Sequence, residues 1–520
     1  MRVALIAEGC YPFVTGGVST WCDQLVRGLD DHWFEVIAVT ATSRVRPVIA
    51  LPDNVVGVRM IPLWDWKALG RRVSGGARRR FEGLYRTLLG AMLDVHALQR
   101  GFDLALMELF EFAQGRDLSA LFRTDDPVRT LLDVWPTAFP HVPLPVRDAL
   151  EATELMEHLL LPLAAAVPRA DVTHPVSNGL PAMVALAAKW RHGTPILMSE
   201  HGVYLRERYL AFHSVEYRWP VKAVMLAFVR RLCRTAYQEA DIVVPVNVFN
   251  RRWEIRHGAE PDRVRTVYNG VDADSLPAAE ADPQRPTVGW IGRIDPLKDL
   301  HTLVKAFGVA AERVPDAVLR LFGPTPAGNE EYEASVRRLV TELGLDDRVS
   351  FEGPVRPATT AYHASTVVAL SSISEGLPYT VMEAMMCARA TVSTDVGGVA
   401  EVAGDTGLVV PPGDPQRFGE ALVELLTDDA RRADLASRAR HRALEMFRLE
   451  TMLATFRQLY AELQARAGAG RSAEGSRLDA FAQLPRVRAP YVPHAVDPLT
   501  VDPLGGVDPL GSDQVGEVTG

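Results

Sequence analysis

The sequence predicts an α/β chain of parallel sheets covered by helices and organised in successive units. Three observations carry this reading. Short apolar runs such as Val318–Phe322 and Val367–Leu370 alternate with longer amphipathic stretches, as expected of strands paired through crossover helices. At 520 residues, 48% hydrophobic and 23% charged, the chain exceeds one ordinary core and has the apolar content for two or three. Residues 277–286, rich in Ala, Pro and Asp, interrupt the alternation and read as an interdomain linker.

In the first unit, residues 3–7 predict a buried strand, and Gly16-Gly17 opens a helix reaching Leu29. Residues 34–40 and 55–61 follow as strands, and residues 64–167 read as a mostly helical insertion. Strands resume at 171–174, 195–199, 241–245 and 264–268. Residues 217–234 combine an apolar face with basic ends. They read either as a core-facing helix or as one lying on an anionic membrane surface. In the second series, strands are expected at 288–292, Val318–Phe322, 349–351, Val367–Leu370 and 391–393, and a helix at 449–464. Beyond residue 465 the motif Val-Asp-Pro-Leu recurs from Val496, Val501 and Val507. Isolated Leu between Asp-Pro pairs buries too little to offset chain entropy, so a disordered tail is expected over 465–520.

Composition narrows the function. A net charge of −9 argues against a general nucleic-acid partner, which requires a concentrated basic stripe. The four cysteines, Cys10, Cys22, Cys233 and Cys387, sit in apolar contexts without CxxC spacing, as reduced core residues of a cytoplasmic protein would. The apolar run after Met1-Arg2 is too short for a signal peptide, and no run reaches the roughly 18 apolar residues of a membrane span.

The chemistry concentrates in two segments. Glu375-Gly-Leu-Pro-Tyr-Thr-Val-Met-Glu383 follows an apolar run, so it reads as a strand end turning into a helix, with Pro378 in the first turn. The free N–H groups of such a turn, at Gly376 and Leu377, attract anions, and Pro378 lines the same donor site without an N–H of its own, whereas the flanking carboxylates suit hydroxyls. A ligand with both phosphates and hydroxyls, such as a sugar nucleotide, fits both. Arg293 and Lys298, on the loop after Val288-Gly-Trp-Ile-Gly292, can converge on one diphosphate, as a planar fork and a mobile point charge.

These segments resemble the signature of retaining GT4-type glycosyltransferases of GT-B fold, whose E-x7-E motif Glu375 and Glu383 match. The opening residues through Gly16, Gly17 and Trp21, with Ser199-Glu-His201-Gly-Val-Tyr-Leu-Arg-Glu-Arg208, resemble the PelF branch, named for Pel exopolysaccharide synthesis. The likeness covers roughly residues 1–463. It implies two Rossmann-like domains facing each other across a cleft: an acceptor-side domain over 1–276, a donor domain over 287–445, and a crossover helix over 446–464 packing back on the first.

The resemblance also implies roles. Gly16 and Gly17 lie beside the donor phosphate and transferred sugar, His201 faces that sugar, and backbone near Val355 contacts the base. Glu375 orients sugar hydroxyls and Glu383 binds the ribose, while Arg293 and Lys298 stabilise the leaving diphosphate. Glu200 is a second candidate beside His201, and His174 is structural or acceptor-lining. Uracil is favoured as the base, and a glycan as acceptor. No cofactor and no metal are expected; Asp272-Ala-Asp274, a D-x-D of the metal-binding type, sits in a turn. A cytoplasmic enzyme is implied, peripheral to the membrane in a polysaccharide-synthesis complex. Two alternatives remain open: a GT-B epimerase or phosphorylase, and a non-catalytic nucleotide-sugar sensor.

Overall fold

A computed structural model describes residues 1–65 and 73–471. The chain forms two compact units. One comprises Met1–Val244, Trp253–Arg265 and the chain from Leu459; the other comprises Pro245–Arg252 and Thr266–Gln458.

In the first unit, strands β1 (Arg2–Glu8), β2 (Trp33–Thr40), β3 (Val55–Pro62) and β4 (Val172–Pro175) form a parallel sheet in the order β3-β2-β1-β4. Strands β5 (Leu197–Glu200) and β6 (Ile242–Pro245) pair with each other, and a parallel bridge from Thr173 to Ile196 joins β4 to the residue before β5. The resulting 3-2-1-4-5-6 progression is the doubly wound order, reversing between β1 and β4. Val3 through Ala7 are wholly buried, because a parallel sheet is covered on both faces. The expected helical insertion comprises helices Gly75–Leu93, Gln99–Ala113, Leu118–Phe122, Asp126–Ala138 and Val146–Leu160. Ser74 caps the first of these by accepting from Ala77 N at 3.2 Å, and Phe81, Tyr85 and Phe122 join its apolar face to the main core.

The second unit holds β7 (Thr287–Ile291), β8 (Val318–Phe322), β9 (Val349–Gly353), β10 (Val367–Leu370), β11 (Ala390–Thr394) and β12 (Leu408–Val410). Their order is β12-β11-β10-β7-β8-β9, all parallel, so the winding reverses between β7 and β10. Loops leaving those two strands diverge from a shared crevice at the carboxyl ends, where open α/β sheets bind ligands.

Several expectations change. Residues 264–268 form no strand. They run beside β6 with one bridge, Val243 to Val264, and two backbone bonds, too few for a ladder. The three-residue edge strand β12 is too short to register as an apolar run. Segment 217–234 lies within helix Trp219–Glu239, whose Val221, Val224, Met225, Phe228 and Leu232 are buried, so its apolar face is used by the core and not by a membrane surface. Segment 277–286 is no free linker. Ala279 N donates to Cys387 O at 3.0 Å, and Asp282 accepts from Arg389 and Arg432, which fixes it within the second unit. The helix Leu449–Arg471 starts in the second unit and enters the first at Leu459. It continues six residues past the expected start of the tail at 465, and the tail from 472 lies outside the described residues.

Candidate active site

In the second unit, the backbone fixes Lys298 at the carboxyl end of β7. Asp295 accepts from Leu297 N at 3.1 Å, closing the 3-10 turn Pro296–Lys298. Asp299 then takes a left-handed φ of 43° and caps helix Leu300–Arg313 by accepting from Thr302 N at 3.2 Å. The loop after β10 is stitched to this turn: Ser371 Oγ donates to Lys298 O at 2.7 Å, and Ile373 N to Leu297 O at 2.9 Å.

These bonds bring the two loops' charges together. Lys298 Nζ donates to Glu375 Oε1 at 2.6 Å, and Ser372 Oγ donates to the same oxygen at 2.6 Å. Glu375 is 12% exposed, so the pair is held largely out of water. Lys298 was expected on the diphosphate alone; it is also the counter-charge of Glu375. Arg293 differs, half exposed and only 3.4 Å from Asp295, so its fork is loosely held.

Pro378 precedes the helix Tyr379–Met386 as its flanking residue, one position earlier than expected. Gly376 and Leu377 form the approach to that helix. Glu383 lies inside the helix, where Tyr362 Oη donates to its Oε2 and burial raises its carboxyl above the usual range. Val355 follows β9, two strands from β7, so the loops of Val355 and Lys298 share one sheet edge about 10 Å apart.

Sequence reasoning missed the supports of the Glu375 loop. Gly376 O accepts from Asn247 Nδ2 at 2.8 Å and from Gly398 N at 2.9 Å. Gly397 has φ 57°, and a Cβ there would stand 1.8 Å from Glu375 O. The Gly397-Gly398 pair after β11 was the available signal. Tyr362 had none, being 21 residues from Glu383.

In the first unit, Gly16 precedes helix Gly17–Gly28 with extended backbone, and a Cβ on it would meet nothing within 4 Å. Trp21 on that helix packs edge-on against His201 at 4.6 Å between ring centroids. Among the described residues, the buried Nε2 of His201 has no hydrogen-bond partner. Burial lowers the imidazole to about 3, so it is neutral near pH 7.

His174 is wholly buried, with Nδ1 2.5 Å from Tyr460 Oη and Nε2 2.7 Å from Ser199 Oγ, which makes it structural. Glu200 is also wholly buried. It accepts from Tyr204 N at 2.8 Å and Tyr237 Oη at 2.5 Å, and burial raises it to about 7. This corrects its reading as a second sugar-facing group: its oxygens are engaged inside the core.

Among the described residues, no three His, Cys, Asp or Glu side chains gather as a metal site. Asp272 accepts from Asp274 N at 3.0 Å and so serves its own turn. The four cysteines are free.

The family model described as "Domain of unknown function (DUF3492)" matches residues 1–262, and the one described as "Glycosyl transferases group 1" matches residues 285–428. The D-inositol 3-phosphate glycosyltransferase of Corynebacterium glutamicum (strain R) is 29% identical over 222 residues, 39% of this chain and 53% of that protein. Its namesake in Rhodococcus opacus (strain B4) is 31% identical over 245 residues, 42% of this chain and 55% of that protein. The chain thus spans about half the length of these curated relatives. Two solved structures share the fold. Sucrose-phosphate synthase from Thermosynechococcus elongatus aligns with TM-score 0.60 at 18% identity, over 89% of this chain and 99% of that one. Anabaena Alr3699/HepE in complex with UDP and glucose aligns with TM-score 0.55 at 16% identity, over 88% and 99%. The two-unit α/β fold is therefore that of the GT-B glycosyltransferases.

Proposed function

We propose that this chain, which belongs to the DUF3492 family and carries a group 1 glycosyl transferase domain in its second half, transfers a sugar from a UDP-sugar to a glycan acceptor. The observation that carries this reading is the Lys298–Glu375 pair at the point where the winding of the second sheet reverses. A cation and a carboxylate fixed together at that crevice suit a ligand that combines diphosphate with sugar hydroxyls. The UDP complex of Anabaena Alr3699/HepE supports uracil as the base.

In the reaction, the acceptor oxygen bonds to the anomeric carbon while the bond from that carbon to the diphosphate oxygen breaks. UDP leaves with the electron pair, and the proton of the acceptor hydroxyl passes to the oxygen of the departing diphosphate. Charge builds on the diphosphate, so Arg293, Lys298 and the N–H groups after Gly376 do most of the stabilising, an effect worth several kcal/mol. Glu375 orients the sugar and Glu383 accepts from the ribose. The neutral imidazole of His201 accepts or donates one hydrogen bond to the transferred sugar. Configuration is retained, as in the GT4 group, and no metal is required. The PelF-like segments favour a role in exopolysaccharide synthesis at the cytoplasmic face of a membrane. No helix among the described residues is long and apolar enough to cross one.

A thermal-shift screen of UDP-, GDP- and ADP-sugars with and without EDTA tests this. UDP-sugars should raise the melting temperature equally in both conditions. Stabilisation that vanished with EDTA and returned with Mn²⁺ would contradict the metal-free assignment.

A further inference from the structure

A cavity of about 580 Å³ opens at the amino-terminal edge of the second unit's sheet. Thr366, just before β10, and Ala390, the first residue of β11, form part of its wall. It therefore lies at the opposite edge from Lys298 and Glu375. The helix Asp429–Met446 turns one face toward it, because Ala433, Ala436, Ser437, Arg440 and His441 recur at helical spacing. The alanines leave room, and the polar residues supply donors.

The wall is cationic and rigid. Arg389, only 4% exposed, donates to Tyr362 O and His363 O at 3.1 Å each, to Ala281 O at 2.8 Å and to Asp282. Arg432 shares the same Asp282 carboxylate at 2.7 Å. Among the described residues, Arg440 donates to Leu276 O at 3.3 Å, and His441 is exposed. Three guanidiniums and an imidazole line the cavity beside two carboxylates, Asp282 and Glu280, and Arg432 is further held from outside the wall by Asp429 and Leu425 O at 2.8 Å each.

We propose that this cavity binds a small phosphate-bearing anion through Arg432, Ser437, Arg440 and His441. Guanidinium forks match phosphate oxygens bidentately, and the volume is that of a small-ligand site. Among the described residues, no Phe, Tyr or Trp lines the cavity, so they offer no platform for a nucleobase; the ligand is inorganic phosphate or a phosphorylated sugar, not a nucleotide.

The cavity is wired to the opposite edge. Arg389 holds the backbone of Tyr362, and the Tyr362 hydroxyl holds Glu383. The helix bearing Glu383 ends at Met386, and past its cap Cys387 the residue Ala388 turns back through φ 53° to place Arg389. An anion drawing on Arg432 competes for it with Asp282, the carboxylate that also pairs with Arg389, and so acts through Arg389 on both supports of Glu383. Phosphate therefore alters nucleotide affinity, a part of the proposal that rests on the donor-site reading above, and by linkage the nucleotide alters phosphate affinity by the same factor.

Isothermal titration of the full chain with inorganic phosphate tests both parts. Phosphate binding should survive in Lys298→Ala, which removes any phosphate held at the donor loops, while Arg440→Ala and Arg440→Ala/His441→Ala should lose that binding about tenfold or more. Ser437→Ala, a small helix-compatible change, should weaken binding without loss of fold. Phosphate binding that survives in the Arg440 variants, or that disappears in Lys298→Ala, overturns the site. Repeating the titration at saturating UDP should shift phosphate affinity at least several-fold; an unchanged value overturns the coupling. If UDP itself does not bind, the donor reading fails while the phosphate titration still decides the cavity.

Discussion

Lys298 Nζ lies 2.6 Å from Glu375 Oε1, and the two residues belong to loops 77 positions apart in the chain. Both loops leave the sheet where its winding reverses, so the pair joins the two halves of the crevice. Removing the lysine strands a mostly buried carboxylate, which is costlier than removing both charges. A double-mutant cycle with Lys298→Met and Glu375→Gln should show a coupling of about 1–3 kcal/mol in urea unfolding. Additive effects would mean that the pair contributes nothing to the loop geometry.

Gly397→Ala should disable the same loop from behind. Its φ of 57° is unfavourable for alanine, and the new Cβ would meet Glu375 O at 1.8 Å. Stability should fall by more than about 1 kcal/mol, and UDP affinity should fall with it. A variant with unaltered UDP binding would show that the Glu375 carbonyl position is immaterial.

Tyr362→Phe removes the donor to Glu383 and leaves the ring's packing intact. The buried carboxyl, already raised by desolvation, should be raised further and accept ribose hydroxyls less well. UDP affinity should drop roughly tenfold, since hydrogen bonds to charged groups contribute about 1.5–3 kcal/mol. Turnover at saturating donor should change less, because ribose hydroxyls keep their charge through the reaction. A purely kinetic defect at unchanged affinity would contradict this.

His174 predicts an acid-side loss of stability. Its imidazole titrates near 6.5 when unfolded and is lowered to about 3 in the fold, first by burial and then, once that ring is itself protonated, by repulsion from His201. Between those values the unfolded chain binds the extra proton, so stability falls as pH falls. From pH 7 to pH 5 the loss should be about 2 kcal/mol from this group. Glu200 has the opposite sign: raised to about 7 by burial, it loses stability as pH rises from about 4.5 to 7. Urea melts of wild type and His174→Gln at both pH values isolate the histidine: the variant should have the shallower slope, and equal slopes would remove its titration from the account.

Strands with short apolar runs were legible because the faces of a parallel sheet are largely covered; Val367–Leu370, apolar throughout, and Val318–Phe322, apolar but for Arg320, fall where the sequence puts them. The edge strand β12 was too short to register, and residues 264–268, Val-Arg-Thr-Val-Tyr, read as a strand by their β-branched and aromatic residues without finding a ladder. At the site, Glu375, Arg293 and Lys298 stood out because each lies on a strand-to-helix loop with a chemical reason to be there, and Glu383 because it follows Glu375 at a fixed spacing within the helix that loop opens. Tyr362, Asn247 and Gly397 did not, because their roles exist only through partners supplied by distant segments. Segment 277–286 looked like a linker by composition, yet the buried Arg389 that fixes it lies over a hundred residues away.

The central claim is that a nucleoside diphosphate seats on the loops of Lys298 and Glu375. Isothermal titration with UDP, paired with transfer kinetics in EDTA, tests it on wild type, Lys298→Ala and Glu383→Ala. Lys298→Ala should weaken UDP binding and also slow transfer at saturating donor by roughly 10²–10³-fold, because charge builds on the diphosphate in the transition state. Glu383→Ala should weaken binding with turnover much less affected. Equal and negligible effects from both substitutions would contradict the claim, placing the donor elsewhere.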